Sequence, residues 1–419
     1  MGSHSTQCRV VITGLGVVTP LGHQLDAFWN HLVAGQCGID RISAFDATPF
    51  DTQIAGEVKN FDPTPAFPSP KEIRHTDRFS QFGVFAAHRA LLDSGLELER
   101  ENHDEIGVII GSGIGGLATT IKQHKVLLDR GPDRLSPFMI PMLISNMASG
   151  LFSMFYNLRG PNFATCSACA TANHAIGEAW RAIKMGDAQV MFAGGAEAAV
   201  VSIGIGGFCA MKAMSRRNDD PKRASRPFDK ERDGFVMGEG AGVVVLEELE
   251  HAKQRGAKIY CEIVGYGNTA DAYHLTAPSP DGEGAARCMK MALKTGGLNT
   301  EDVSYINAHG TSTPQGDACE TQAIKAVFGQ YAKKIAVSST KGALGHMLGA
   351  AGGVEMSICA LAIKHGVVPP TINYQVPDPE CDLDYVPNTA RELKVNAVIN
   401  NSFGFGGHNA SIAAKKFVG

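Results

Sequence analysis

One cysteine and two histidines stand at positions in this sequence where side-chain chemistry is expected. Cys169 ends a strand-like run and opens a helical pattern over residues 169–185. A cysteine at a helix N-terminus faces the positive end of the helix dipole and unpaired backbone N–H groups, and both favour the thiolate. His309 and His346 each follow an apolar run and lie among Gly, Ser and Thr residues, which permit a ligand to come close. A lone histidine is more often structural, but this repeated setting favours a site with a nucleophilic Cys169.

Cys166 supports a competing hypothesis, because with Cys169 it forms a Cys-x-x-Cys motif typical of redox pairs and zinc sites. The sequence has no second motif of this kind, and its later cysteines lack the spacing of a zinc partner. We therefore interpret Cys166 as a buried residue that still belongs to the strand. The glycine-rich stretches 14–19 and 111–116 loosely resemble dinucleotide loops. Neither has a convincing acidic ribose ligand, so tight backbone packing explains their glycines better.

The elements that must position these residues fall into two series along the chain. Continuous apolar runs alternate with helical patterns, which indicates an α/β fold with buried sheets. The predicted strands of the two series are 9–18, 106–111, 163–167, 189–193 and 242–246, then 259–266, 304–308, 335–339 and 395–414. The predicted helices are 80–94, 169–185, 284–295, 320–328 and 352–364. The repetition predicts two similar halves that meet near residue 250.

Composition excludes several classes of protein. With 44% hydrophobic and 19% charged residues, the 419-residue chain has enough apolar material for a large core and is not disordered. A net charge of −4 argues against binding nucleic acid over the whole surface. No run approaches the roughly 18 apolar residues that cross a bilayer, so we expect no membrane segment. The ten irregularly spaced cysteines predict reduced thiols and a cytoplasmic location.

Together the motifs resemble those of the β-ketoacyl-[acyl carrier protein] synthases of the thiolase superfamily. The match runs from about residue 9 to the C-terminus and includes Cys169, His309, Lys341, His346 and the Asn-Ser-Phe-Gly-Phe-Gly-Gly motif at 401–407. Within this family, a site with one cysteine and two histidines most resembles that of the elongating enzymes, synthase II of dissociated fatty acid synthesis. The resemblance implies a thiolase-like five-layer αβαβα fold and a homodimer. The implied halves are 9–255 and 256–419, with 1–8 as a tail or tag remnant.

The resemblance also implies an activity, a decarboxylative Claisen condensation. An acyl group from acyl-[acyl carrier protein] moves to Cys169, and malonyl-[acyl carrier protein] loses CO₂ to give an enolate held by neutral His309 and His346. Lys341 either tunes the His346 region or forms a structural ion pair with Glu355 or Asp317, and both alternatives stay open. No cofactor is implied. A ketosynthase of a polyketide or specialised lipid pathway is the alternative function.

Further positions match family residues that surround the reacting groups. Phe403 matches the gate, and its backbone N–H, with that of Cys169, matches the donors to the tetrahedral intermediate. The segment from Lys212 to Arg232 carries eight basic and four acidic residues, which fits docking of an acidic carrier or, equally, a loop with internal ion pairs. The remaining matches are Thr311, Thr313 and Phe405 for substrate binding, Ile114 for the acyl-pocket floor, Met139 for a contact across the dimer, Lys71, Arg74 and Lys212 for carrier docking, and Asn307 and Glu355 for a monovalent cation.

Overall fold

The computed structural model describes residues 8–419, so the interpretation of residues 1–8 as a tail lies, except for Cys8, outside the described residues. The strands are β1 (Val10–Val18), β2 (Asp40–Arg41), β3 (Ile54–Ala55), β4 (Ile106–Gly111), β5 (Asn162–Phe163), β6 (Val190–Glu197), β7 (Gly240–Glu248), β8 (Cys261–Ala270), β9 (Val303–Asn307), β10 (Ala336–Ser338), β11 (Val367–Val368), β12 (Arg391–Glu392), β13 (Ala397–Gly404) and β14 (His408–Lys415). The α-helices are α1 (Leu25–Val33), α2 (Pro70–Arg74), α3 (Arg78–Ser94), α4 (Leu117–Arg130), α5 (Met139–Leu143), α6 (Met147–Tyr156), α7 (Thr171–Met185), α8 (Ser202–Ala210), α9 (Leu249–Gln254), α10 (Glu283–Gly296), α11 (Pro314–Phe328), α12 (Lys341–Leu344) and α13 (Ala351–His365).

Ten strands form one sheet in which the same five-strand pattern occurs twice. The strand order is β10-β9-β13-β14-β8-β1-β7-β6-β4-β5. In the N-terminal half β4 is parallel to β5 and β6, while β7 is antiparallel to β6 and β1. In the C-terminal half β9 is parallel to β10 and β13, while β14 is antiparallel to β13 and β8. Order and direction are the same in both halves, which confirms the predicted pair of similar halves.

Helices cover the strands on both sides and fill the space between the halves. Helix α3 packs on β1, β6 and β7, and α10 packs on β8 and β14, so each covers the outer face of one half. Helices α7 and α13 pack on each other and on strands of both halves. Every residue of α13 from Ala351 to Ile363 is buried, as expected for a helix that is apolar on all sides. The result is the predicted five-layer αβαβα arrangement.

The structure shifts several element boundaries near the candidate site. The predicted strand 163–167 is a two-residue strand, Asn162–Phe163, and Cys166 follows it as an exposed residue. The expectation that Cys166 is buried on a strand is therefore wrong. Helix α11 begins at Pro314, six residues before the predicted start, because proline suits the first turn of a helix.

The division of the two halves between residues 255 and 256 stays a prediction. No helix within residues 8–419 is long and apolar enough to cross a membrane.

Candidate active site

Cys169 lies in a turn that points its side chain into the interior. The 3₁₀ turn Ala168–Ala170 leads directly into α7, and Ala168 adopts a left-handed conformation with φ of 49°. Such a conformation is uncommon for alanine and often accompanies functional turns. The sulfur of Cys169 is buried, with 7% of the residue exposed. Cys166 does not share this position, so the structure gives no support to a Cys-x-x-Cys redox or zinc pair.

Burial dominates the acidity of the Cys169 thiol. It raises the pKa of Cys169 to about 12, although Lys341 and the backbone N–H of Phe405 act to lower it. The helix N-terminus was expected to favour the thiolate, but burial, which penalises the anion, is the largest influence on this pKa and favours the thiol. Nε2 of His346 lies 3.0 Å from the Cys169 sulfur, where it can accept the proton of the thiol.

The two histidines reach the cysteine from loops of the C-terminal half. His309 follows β9, and its backbone N–H donates to Glu320 Oε1 over 2.9 Å. His346 follows α12, and its backbone N–H donates to the Val236 carbonyl over 2.7 Å. The carbonyl of His346 accepts in turn from the Gly238 N–H over 2.8 Å, so the backbone of this residue is held on both sides.

The side chains of the two histidines meet beside the sulfur. The rings of His309 and His346 stand edge to face, with centroids 5.3 Å apart. The Cys169 sulfur and one nitrogen from each ring all lie within 4.8 Å of one another. Turns that lie far apart in the sequence thus place one nucleophile and two imidazoles at a single point.

Both imidazoles are neutral at ordinary pH. Burial lowers the pKa of His309 and that of His346 well below the usual value, and the charge of Lys341 lowers both further. Neither Nδ1 atom has a hydrogen-bond partner among the described residues. No neighbour therefore fixes the protonated nitrogen of His309, whereas Nε2 of His346 can accept from the Cys169 thiol as long as that thiol is free. His309 can thus present Nε2–H as a donor toward the space beside the sulfur, and His346 can do so once the thiol no longer donates to it.

Lys341 satisfies both alternatives left open by the sequence. Its ammonium group is buried and forms an ion pair with Glu355, while Asp317 pairs instead with Arg232 at 3.7 Å. Its positive charge also lowers the pKa values of Cys169, His309 and His346. Lys341 is therefore a structural ion-pair partner that at the same time sets the electrostatic field of the site.

Several polar atoms of the C-terminal half, one of them on Glu355 of this ion pair, are buried without a partner. They are Oδ1 and Nδ2 of Asn307, Oε2 of Glu355 and Oγ of Ser402, and within residues 8–419 none of these atoms has a hydrogen bond. Buried polar atoms are nearly always paired, so each of these atoms is expected to have a partner other than the protein groups that the structure describes. Asn307 and Glu355 are the two residues that the sequence assigned to a monovalent cation, and their oxygens fit such a ligand.

A cavity of about 400 Å³ connects the surface to these groups. Exposed Met211, Lys212 and Gln315 line its outer end, and Cys169 and His346 line its inner end. The predicted substrate-binding residues Thr311 and Thr313 line the same cavity, and their hydroxyl oxygens are 3.0 Å apart. A cavity that leads from the surface to a buried nucleophile suits a substrate whose reactive group is carried at the end of a long, flexible chain.

The two phenylalanines of the C-terminal glycine motif are positioned differently relative to Cys169 than the sequence predicted. Phe403 lies within β13, paired with Asn409, and its ring stands edge to face against His309 at 5.8 Å. Phe405 begins the turn after the strand, and its backbone N–H is the one that contacts the Cys169 sulfur. The N–H beside the sulfur is thus that of Phe405, whereas the sequence match predicted the N–H of Phe403, a residue that pairs within the sheet.

The division of the chain between two domain models decides the family. Residues 7–252 match the model described as beta-ketoacyl synthase, N-terminal domain, and residues 260–375 match the model of the C-terminal domain. The chain belongs to the beta-ketoacyl synthase family. It is therefore a condensing acyltransferase, or ketosynthase, as its motifs predicted.

Curated relatives of this ketosynthase match it over nearly its whole length. A protein of Synechocystis sp. named 3-oxoacyl-[acyl-carrier-protein] synthase 2 is 54% identical over 98% of this chain and 98% of its own. A protein of the same name from Coxiella burnetii is 54% identical over 97% of this chain and 98% of its own. A third, from Staphylococcus aureus, is 51% identical over 99% of each chain.

Solved structures of other ketosynthases share the fold. A beta-ketoacyl synthase from Burkholderia phymatum has a TM-score of 0.91 and 37% identity, covering 98% of this chain and 100% of that one. A ketosynthase solved with a type II polyketide acyl-carrier protein and bound to the hexaketide has a TM-score of 0.90 and 35% identity, covering 99% of this chain and 100% of that one. Both agree with the predicted thiolase-like fold.

The remaining predicted site residues of the ketosynthase lie outside the cavity of the single chain. Ile114 is 39% exposed, and Met139 is half-buried at the start of α5. Lys71 and Arg74 are exposed on α2, and only Lys212 of the three docking residues lines the mouth within the described chain. The structure thus brings Cys169, His309 and His346 together, as predicted for the catalytic residues, but leaves these four positions apart from them.

One buried carboxylate near the histidines was missed by the sequence reasoning. Glu320 is 3% exposed and accepts from the backbone N–H groups of both His309 and Gly310. Burial raises the pKa of Glu320 to about 7, against the effect of these hydrogen bonds. A signal was present, because Glu320 shares the buried face of α11 with Ile324 and Phe328, where an acidic residue is unusual.

Proposed function

We propose that this ketosynthase condenses acyl-[acyl carrier protein] with malonyl-[acyl carrier protein] to give 3-oxoacyl-[acyl carrier protein], CO₂ and free carrier. The observation that carries the proposal is the meeting of the Cys169 sulfur with nitrogens of His309 and His346 at the buried end of one cavity. A nucleophile beside two neutral hydrogen-bond donors provides both covalent transfer and stabilisation of an enolate.

In the first half of the reaction Cys169 takes the acyl group. Its sulfur attacks the thioester carbonyl while the thiol proton passes to Nε2 of His346, 3.0 Å away. The carbonyl oxygen, negative in the tetrahedral intermediate, accepts from the backbone N–H groups of Cys169 and Phe405. The carbon–sulfur bond to the carrier then breaks, and the departing thiolate takes the proton from His346. Removal of the thiol proton during attack suits a thiol whose resting form is protonated.

In the second half malonyl-carrier enters the same cavity and loses CO₂. The electron pair of the broken carbon–carbon bond moves into the thioester. With Cys169 acylated, no thiol donates to Nε2 of His346, so the neutral ring then carries its proton on Nε2, and the resulting enolate oxygen accepts from Nε2–H of His309 and of His346. Preorganised donors of this kind are each worth about 3 kcal/mol. The enolate carbon attacks the acyl-Cys169 carbonyl, the new carbon–carbon bond forms, and the cysteine sulfur leaves and takes up one proton. Low pKa values keep both imidazoles neutral, as this step requires.

Fatty acid elongation is the favoured setting of this reaction. The three relatives named 3-oxoacyl-[acyl-carrier-protein] synthase 2 are 51–54% identical to the chain, whereas the polyketide ketosynthase is 35% identical. A polyketide or specialised lipid pathway is the second candidate. A series of acyl-carriers of increasing length separates the two, since an elongating enzyme repeats the reaction on saturated chains and releases each product.

An acidic carrier protein is the partner that the surface charges favour. Lys212 stands at the mouth of the cavity, and it forms no ion pair among the described residues. The arginines of the 212–232 segment are already paired, as in the contacts of Arg226 with Glu231 at 3.0 Å and of Arg216 with Asp51 at 2.6 Å. Lys212 is the basic residue of the segment that lines the cavity mouth, and Lys71 and Arg74 on α2 are the other two predicted docking charges.

A homodimer completes the proposed enzyme. The short edge strand β5 ends the ten-stranded sheet, and Phe163 within it is 45% exposed, with Met154 of α6 70% exposed. An open sheet edge with apolar side chains is a surface that a second copy of the chain can cover. In that assembly Met139 would reach the partner and Ile114 would close the acyl pocket. Sedimentation equilibrium of the wild type and of Phe163→Asp tests the assembly, and a wild-type monomer would contradict it.

The reduced state of the cysteines supports a cytoplasmic location. All ten cysteines lie among residues 8–419, and each is a free thiol in the structure. Cysteines of this kind are typical of reducing compartments. Labelling of the thiols in intact cells before and after lysis distinguishes this from an oxidising compartment, where pairs would resist the label.

A monovalent cation at Asn307 and Glu355 is proposed as a structural ligand. The unpaired oxygens of Asn307, Glu355 and Ser402 would hold the ion, and its charge would compensate buried oxygens that have no hydrogen-bond donor. The ion would take no chemical part in the condensation. A rise in melting temperature with K⁺ or Na⁺, measured against a bulky organic cation at equal ionic strength, would support this site.

One assay tests the proposed function directly. The purified chain is mixed with hexadecanoyl- or shorter acyl-carriers and malonyl-carrier, and 3-oxoacyl-carrier is identified by mass spectrometry. We expect an acyl-Cys169 intermediate and one CO₂ for each condensation. The absence of product with every acyl length would overturn the proposal.

A further inference from the structure

A carboxylate behind Cys169 has no part in the proposed chemistry and yet has a complete set of partners. Glu197 is the last residue of β6 and is fully buried. Its Oε1 accepts from the Ser112 hydroxyl over 2.8 Å and from the Ile114 N–H over 3.2 Å. Its Oε2 accepts from the Gly113 N–H over 2.8 Å and from the Gly349 N–H over 3.1 Å. Glu197 does not line the cavity that leads to Cys169.

The hydrogen bonds show that Glu197 is a carboxylate. All three backbone partners are donors, and the hydroxyl of Ser112 accepts from the Gly115 N–H over 2.9 Å, which directs its own proton toward Glu197. A protonated carboxyl would need an acceptor, and none of these four partners provides one. Burial raises the pKa of Glu197, while these donors lower it and stabilise the charged form.

Glu197 joins segments from the two halves of the molecule. Residues 112–114 follow β4 of the N-terminal half, whereas Gly349 lies in the turn between His346 and α13 of the C-terminal half. A Cβ atom placed on Gly113 or on Gly349 would lie 2.8 Å from Oε2 of Glu197, so both segments approach the carboxylate as closely as only glycine allows. The same Cβ on Gly113 would lie 3.4 Å from the carbonyl oxygen of Ala168, in the turn that carries Cys169.

We propose that Glu197 is a positioning residue of the ketosynthase site, which fixes the segment carrying Ile114 and the turn after His346 at one spacing beside Cys169. Four hydrogen bonds to one rigid carboxylate hold both segments more firmly than their separate loops would. The nucleophile, its proton acceptor and the acyl side of the site thereby keep a common geometry. The role of the residue rests on the proposed function, because it acts through the groups that perform that reaction.

The charge of Glu197 adds a second effect that can be measured apart from catalysis. It raises the pKa of Cys169, whereas Lys341 lowers it. Removal of the charge with the shape kept should favour the thiolate. The reactivity of Cys169 toward a small electrophile therefore reports on Glu197 even in an enzyme that turns over slowly.

Three variants separate position from charge. Glu197→Gln keeps the shape but turns an amide NH₂ toward two N–H or O–H donors, so we expect kcat for condensation to fall on the order of a hundredfold, with little change in KM. The rate of alkylation of Cys169 by iodoacetamide at a fixed pH should rise severalfold. Glu197→Asp keeps the charge but is too short for all four donors, so kcat should fall while the alkylation rate stays near that of the wild type. Ser112→Ala removes one donor and should lower kcat to a smaller extent.

Glu247→Gln is the matched control, because Glu247 is equally buried in β7 but hydrogen-bonds to Arg255 and His251. It should lower the melting temperature without changing the alkylation rate of Cys169.

Wild-type kcat in Glu197→Gln, or an alkylation rate that rises in Glu197→Asp as much as in Glu197→Gln, would overturn the proposal. If Glu197→Gln does not fold, wild-type kcat in Ser112→Ala overturns it. Failure of the proposed function is a separate outcome, since the wild type itself would then not condense carrier-bound substrates.

Discussion

At the scale of single residues, the acidity of Cys169 depends on burial more than on its place before a helix. The dipole of a helix is worth about 0.3–1 kcal/mol to a charge at its end. One pH unit of pKa corresponds to about 1.4 kcal/mol, so the dipole lowers the pKa of a thiol by less than one unit. Burial raises the pKa of Cys169 to about 12 and therefore prevails. The sequence could single out Cys169 as the candidate nucleophile, but the charge state of its thiol depends on burial, which only the folded chain defines.

Replacement of the nucleophile separates decarboxylation from condensation. Cys169→Gln should abolish condensation, because no thiol remains to carry the acyl chain. The glutamine amide is neutral and crudely resembles an acylated cysteine, and His309 and His346 still face the malonyl thioester. We expect the variant to retain release of CO₂ from malonyl-carrier, measured with labelled substrate beside a condensation assay. Cys166→Ser is the control, and wild-type elongation by a folded Cys169→Gln protein would refute the mechanism.

The two histidines should differ in the first half of the reaction. His309→Ala and His346→Ala should each slow decarboxylation by about a hundredfold or more, because both donate to the enolate oxygen. His346 alone lies 3.0 Å from the sulfur, so its loss should also slow acylation of Cys169, whereas His309→Ala should acylate nearly as the wild type does. Rapid-quench mass spectrometry of the acyl-enzyme measures acylation in both variants. Equal acylation in the two would show that His346 takes no proton from the thiol.

At the scale of elements, the strands that carry the site were easier to predict than the turns that shape it. Strand β4 has the predicted bounds, and β9 begins one residue before its prediction, because continuous apolar runs mark buried strands. The turn of Cys169 and the place of Phe405 depend on where β5 and β13 stop. Pairing with neighbouring strands decides those ends, and residues far apart in the sequence supply that pairing. Helices α4 and α6 were not predicted, since their residues lack a long stretch of regular apolar spacing.

A histidine that ties α9 to β7 predicts a pH-dependent stability. The hydrogen bond to Glu247 raises the pKa of His251, against the effect of burial, and Glu101 raises it further. A raised pKa in the folded state stabilises the fold below the unfolded value of about 6.5, and this contribution is lost as the pH rises through the folded value. The melting temperature of the wild type should therefore exceed that of His251→Gln by about 2 °C near pH 6.

The difference between the two proteins should shrink as the pH rises through the raised folded-state pKa of His251, above which the residue is neutral in both states. Differential scanning calorimetry across this range measures the change. His124→Gln is the control, because His124 is an exposed histidine on α4 and has no part in the contacts between α9 and β7. A stability difference for His251→Gln that grows with pH would contradict the raised pKa.

At the scale of the whole molecule, the duplicated fold brings a nucleophile from one half to two histidines of the other. Helix α7 follows the turn of Cys169 and packs against α13, which follows the turn of His346, so the two central helices fix the distance between those turns. The two series of strands and helices in the sequence predicted this duplication. The buried ion pairs that occupy much of the 212–232 segment were not predictable, because Asp317 and Asp378 reach Arg232 from distant parts of the chain.

The charge left at the cavity mouth predicts how the carrier binds. Reversal of two charges in the double variant Lys212→Glu with Arg74→Glu should raise KM for acyl-carrier and malonyl-carrier, with little change in kcat, because an acidic partner is then repelled. The effect should shrink as salt increases, since the Debye length falls from about 10 Å at 0.1 M to about 3 Å at 1 M. Acylation by a small carrier-free thioester should be unchanged. The double variant Lys290→Glu with Lys294→Glu, at exposed positions in α10 outside the cavity lining, is the matched control for net charge. Because Cys169 and its histidines are untouched, equal losses with carrier-bound and carrier-free substrates would show that the two residues support the fold rather than the encounter.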